Sequence, residues 1–185
     1  MDIKFIMGQG DGLDRQAAEG DMTTRLSRGL HERLVRTAMT KVVGFAGDFF
    51  GDEVGEIPVG QMDAWVPQYL EEFEDAQSLG LFQAGGVEEK DHLLLWTLGR
   101  VFRPEVYVES GVFMGSSLHA FLTCPGLKKV LALDPNLGIL KIPADRVPGG
   151  ELIDNQDFSQ LGINFSGIRT LVFFDDHIDS AARII

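Results

Sequence analysis

The chain has 185 residues, 44% of them apolar, enough for one domain with a sizeable core and too apolar for wholesale disorder. Twenty-eight acids against sixteen bases leave a net charge of −12, which repels phosphate backbones and anionic lipid and argues against nucleic acid or a membrane surface as partner. Cys124 is the only cysteine, so an intrachain disulfide and a cysteine metal cluster are excluded.

No basic segment followed by an apolar one opens the chain, and no run approaches the roughly 18 apolar residues of a membrane span. A soluble, cytoplasmic protein is expected. Residues 1–20, broken by Gly8, Gly10, Gly12 and Gly20, read as a mobile arm. From Met22 to Val43, Leu26, Leu30, Leu34, Ala38 and Val42 recur every fourth position, widened by Val35 and Met39. That spacing predicts an amphipathic helix. Its other side carries Arg25, Arg28, Arg33, Arg36 and Lys41, a solvated face or a contact for an acidic partner or a second copy of the chain.

Residues 44–60 are glycine-rich and read as a loop, with Phe45, Phe49 and Phe50 tucked onto the core. A second helix is expected to begin near Pro67 and to end at Gly80, burying Val66, Leu70 and Phe73. Residues 21–85 thus form a helical N-terminal region, a cap or a dimer arm. Residues 87–102 predict a third helix, acidic at its start and basic at Arg100, the sense a helix dipole favours. His92 within it reads as structural.

Val106, Tyr107 and Val108 then form a short apolar run suited to a strand buried on both faces. It stops at Glu109-Ser110-Gly111, and a second glycine, Gly115, precedes Ser116 and Ser117, either of which could cap the following helix. Strand, glycine turn and helix start make the front edge of a ligand crevice in a parallel α/β sheet. The spacing fits neither GxxxxGK[ST] nor GxGxxG, and Glu109 would repel a pyrophosphate. A carboxylate there suits a ligand bearing hydroxyls or an ammonium group. Cys124, beside Pro125-Gly126, reads as a small buried side chain.

Three further strands are expected. Residues 130–136 end one at Asp134; residues 151–159 give a short third strand followed by Asp157-Phe158; residues 171–177 give a fourth with Asp175 at its end. Residues 137–150, rich in proline and glycine, replace the usual crossover helix. The fold class is therefore α/β, a Rossmann-like doubly wound parallel sheet seen in its first four strands, preceded by a helical N-terminal region.

The pattern Glu109-x-Gly111-x-x-x-Gly115-x-Ser117, with acids closing each later strand, resembles the class I S-adenosylmethionine-dependent methyltransferases. It is similar to their small-molecule O-methyltransferase and cephalosporin-hydroxylase-like branch. The resemblance covers residues 86–185. It implies that Glu109, Gly111, Gly115 and Ser117 belong to a cofactor-binding motif, that Asp134 hydrogen-bonds the ribose hydroxyls, and that Asp157 and Phe158 contact the adenine. The implied cofactor is S-adenosylmethionine and the implied reaction is methyl transfer to a hydroxyl of a small-molecule acceptor such as a sugar or natural product.

Asp175, Asp176 and His177 stand where the fourth strand ends. His177 could take the acceptor's proton, with Asp175 as its catalytic partner, or Asp175 and Asp176 could hold a hard cation such as Mg2+. The plainer alternative for the three is a capped turn with solvated acids. Residues 181–185 break off inside an uncapped helical pattern, and the family has further strands there, so the region is expected to be truncated after the fourth strand. The rival readings are a non-catalytic cofactor-binding or assembly module, and a hydroxylase-like or nucleotide-sugar enzyme on the same sheet.

Overall fold

The computed structural model describes residues 14–51, 54, 57–58, 60–84, 86–154, 160, 162 and 164–174, with side chains from residue 28 onward except that of Phe49. Three helices come first: α1 (Asp14–Phe50), α2 (Gln61–Ser78) and α3 (Glu89–Phe102). Then follow β1 (Val106–Ser110), α4 (Ser116–Leu122), β2 (Lys129–Asp134), β3 (Glu151–Asp154) and β4 (Thr170–Phe174). The four strands form one all-parallel sheet in the order β3-β2-β1-β4, a Rossmann-like α/β arrangement.

Strand alternation divides the core. Tyr107, Val130 and Ala132 face the helices and join one continuous cluster with Met39, Tyr69, Phe73, Trp96, Leu118 and Phe121. Val106, Val108, Leu131 and Leu133 line the opposite face, where Ile153, Phe165 and Val172 pack on them. Tyr107 stacks on Phe121 with ring centroids 4.0 Å apart, and Trp65 and Tyr69 meet Trp96 edge-on. Fully burying a large apolar side chain of this kind contributes roughly 1.5–3 kcal/mol. Gly99 on α3 lets α4 approach, because a Cβ there would stand 2.9 Å from the Phe121 ring.

The first helix is longer than its sequence suggests and turns inward only the Val35–Met39 flank of the expected stripe. It takes in residues 14–20, read as part of an arm, and 44–50, read as part of a loop. Gly44 and Gly47 cost a helix about 1 kcal/mol each, but Ala46 is fully buried between them and the Phe50 ring lies 5.5 Å from that of Phe102. Packing outweighs propensity. The inward residues are Val35, Met39 and Ala46, whereas Leu30, Leu34 and Phe45 are more than half exposed. Rows of every fourth residue drift by about 40° per step around a helix with 3.6 residues per turn. A stripe running from Leu26 to Val42 therefore cannot stay on one partner.

Pro67 is inside α2 and does not start it. The helix begins six residues earlier, after Gly60 at φ 84, because Trp65 and Val66 are buried in its second turn. Pro67 itself is exposed, and its missing N–H forfeits one early bond. The other expectations about helices and connections fare better. Residues 137–150 contain only two three-residue 3-10 turns, Leu137–Ile139 and Ala144–Arg146. Cys124 is buried, and so is His92. No helix among the described residues is long and apolar enough to cross a membrane.

Candidate functional site

In the order β3-β2-β1-β4 the chain steps one way from β1 to β3 and returns to the other side of β1 for β4. The tips of β1 and β4 therefore flank the switch point, where open α/β sheets bind ligands. Ser110 is paired with Leu133 on one side and Phe174 on the other. Beyond it the chain turns sharply. Gly111 (φ 92), Phe113 (φ 49) and Gly115 (φ 97) all adopt left-handed conformations. For Phe113 that conformation costs about 1–2 kcal/mol.

Asp134, at the tip of β2, holds the turn. Its Oδ2 accepts from the Phe113 N–H at 2.8 Å and its Oδ1 accepts from the Asn136 N–H at 2.7 Å. Only 8% of Asp134 is exposed. A carboxylate has about four acceptor sites, so each oxygen retains capacity for one further donor, such as a hydroxyl.

Glu109 lies two positions deeper than Asp134, paired with Ala132 in the sheet. It is fully buried on the helical side of β1, where Tyr107 Oη donates to its Oε2 at 2.7 Å and Ser117 Oγ donates to its Oε1. The carboxylate thus ties β1 to the first turn of α4. Ser116 and Ser117 lie within α4 and do not cap it; Gly115 is the cap residue, with no side-chain cap bond. Glu109 and Asp134 sit at the carboxyl ends of neighbouring strands but are held by different partners, Glu109 by two interior hydroxyls and Asp134 by N–H groups of the turn and of Asn136.

Gly115 is covered. Lys141 N–H donates to the Met114 carbonyl at 3.2 Å, and a Cβ at Gly115 would stand 2.7 Å from Ile142 Cδ1 and 2.8 Å from Leu140 Cδ1. Gly86 also approaches the turn closely, since a Cβ there would stand 3.1 Å from the edge of the Phe113 ring. The residues present fit hydroxyl donors at Asp134, whereas the Gly115 side is filled by residues 140–142. Asp157, Phe158, Asp175, Asp176 and His177 lie outside the described residues. Among the described residues no three His, Cys, Asp or Glu side chains stand close enough to hold a metal ion.

A polar chain that sequence reasoning missed runs inward beside the turn. Arg146 Nη2 donates to Asp75 Oδ2 at 2.6 Å, and His119 Nε2 meets the same oxygen at 2.9 Å. His119 Nδ1 is 3.3 Å from His92 Nε2. Asp75 only accepts, so His119 Nε2 carries the proton of that bond. His92 Nδ1 is left as a buried atom without a partner. The two donors on Asp75, Arg146 first, hold its carboxyl below the usual range. Burial, helped by His119 and Arg100, pushes His92 down to about 3. The one local signal was His119, four residues after Gly115; its partner is 44 positions away.

Comparison with protein-family models, with curated proteins and with solved structures returns no match. The site is therefore read from its own geometry.

Proposed function

We propose that the protein is an S-adenosylmethionine-dependent methyltransferase-like enzyme, transferring a methyl group to a hydroxyl of a small-molecule acceptor. The observation that carries this reading is Asp134, an almost buried carboxylate with spare acceptor capacity, beside a left-handed glycine turn at the switch side of a parallel sheet. Ribose hydroxyls are the donors it suits. The bound cofactor would supply an electrophilic methyl carbon. The chain's work is to orient the acceptor and take its proton, a task assigned to His177 and Asp175 just beyond β4, with Mg2+ at Asp175 and Asp176 as an added element. Glu109 enters this reading as the brace that sets the height of the turn over β1.

Calorimetric titration with S-adenosylmethionine and its demethylated product tests the reading. Binding is expected, weakened at least tenfold in Asp134→Ala, since about 1.4 kcal/mol of lost hydrogen bonding is a factor of ten. No heat with either compound at the wild-type protein would remove the proposal. The second reading, a binding or assembly module without turnover, is favoured by the inward direction of Glu109 and the filled Gly115 side. Binding without methyl transfer to any of a panel of hydroxylated acceptors would select it.

A further inference from the structure

We propose that residues 137–150 are a cover latched over the glycine turn by Asp75, and that the cover must lift before a ligand can lie against Gly115. The ligand half of this statement rests on the cofactor reading above; the latch does not.

The turn is closed in steric terms. If a single added carbon at Gly115 would meet Leu140 and Ile142 at 2.7–2.8 Å, no ligand atom fits there while those side chains stay. The segment that closes it has little structure of its own. Between Leu137 and Gly150 there are two 3-10 turns, and Lys141, Pro143, Ala144, Asp145, Arg146, Gly149 and Gly150 are exposed. Ile142 and Val147 are its only buried apolar side chains.

The polar tethers go to α2. Lys141 Nζ donates to the Gly80 carbonyl at 2.7 Å, just past the end of α2, and Arg146 reaches Asp75 on α2. Asp75 Oδ2 is also the acceptor for His119, the residue of α4 one turn beyond Gly115. One carboxylate oxygen thus joins the cover, the helix under the turn and α2. Charge-assisted bonds of this kind are individually strong, but Arg146 and Asp75 are both more than a third exposed, so water competes for them. That combination allows a closed state that opens without unfolding the sheet.

Hydrogen exchange on the full chain decides it, comparing wild type with Arg146→Gln, which removes the cover's arm and leaves His119 on Asp75. The expected result is about three- to fivefold faster exchange in the peptide spanning 137–150, with the β1 and β2 amides unchanged. Asp75→Ala should do the same and add faster exchange in α4. Unchanged exchange over 137–150 in Arg146→Gln overturns the latch. So does an increase shared by β1 and β2, which would make the pair a global brace. In parallel, the demethylated cofactor product is titrated into wild type and Arg146→Gln. Faster association in the variant supports gating, and equal association with a released cover overturns it. No binding to either protein counts against the methyltransferase reading, while exchange alone still decides the latch.

Discussion

Arg100 Nη2 donates to Glu72 Oε1 at 2.8 Å, with 3% of the arginine side chain exposed and its guanidinium carbon 3.2 Å from the centre of the Trp96 ring. Trp96 Nε1 and Thr123 Oγ1 donate to the other oxygen of Glu72, at 2.7 and 2.5 Å. One carboxylate on α2 therefore fixes two side chains of α3 and the end of α4. Burial pushes the Arg100 guanidinium down to about 10, which leaves it charged at neutral pH and dependent on Glu72. Glu72→Ala should cost about 3–5 kcal/mol, since it strands a buried cation. Adding Arg100→Met should recover much of that loss in urea denaturation. A single-variant cost below about 1 kcal/mol would mean that this pair does not hold α2 to α3.

Acid should destabilise the fold well before its carboxylates protonate. His92 titrates near 3 in the folded state and near 6.5 in the unfolded chain, so the unfolded chain takes up the proton first. The stabilising contribution is complete above pH 6.5 and is lost as pH falls toward 3. Between pH 7 and pH 5 the loss from this residue is about 2 kcal/mol. Chemical denaturation at the two pH values measures it, and His92→Leu should flatten that part of the profile. An equally steep profile in the variant would assign the effect elsewhere.

Glu109→Ala should behave as a core lesion. It removes the acceptor for two buried hydroxyls, on Tyr107 and Ser117, and leaves a cavity under α4. About 2–4 kcal/mol of stability should be lost, read from the unfolding midpoint. Retained stability with lost ligand affinity would instead place Glu109 in direct contact with ligand.

Gly115→Ala should destabilise by about 1–2 kcal/mol through its left-handed backbone alone, and further through crowding by Leu140 and Ile142. Ile142→Ala in the same chain should relieve the crowding and not the backbone cost. Thermal unfolding of the single and double variants separates the two contributions.

The Cys124 thiol should resist modification in the native protein. Burial pushes it up to about 11, and its sulfur already donates to the Gly99 carbonyl at 2.9 Å. At pH 8 about one molecule in a thousand is then thiolate. Reaction with an aromatic disulfide reagent should proceed at the rate of opening, and it should become fast in denaturant. Rapid labelling of the folded chain would contradict this.

Local pattern was enough for much of this protein. Short apolar runs ending in Glu109 and Asp134 declare strands of a parallel sheet, because a strand buried on both faces reads as a continuous apolar stretch. The glycine turn and the missing crossover helix were legible too, since backbone conformation responds to the residues that carry it. Direction and partnership were not. Period-four spacing in α1 marks a helix, but only packing against α2 and α3 selects Met39 over Leu34 as the inward residue. Glu109 has the same composition-level description as Asp134, yet one is held by interior hydroxyls and the other by N–H groups of the turn and of Asn136. The Arg146–Asp75–His119 junction joins residues 71 and 44 positions apart, a distance over which sequence periodicity carries no phase. Tertiary packing alone brings those groups to one oxygen, because only the folded helices and sheet set residues so distant in sequence within hydrogen-bond reach.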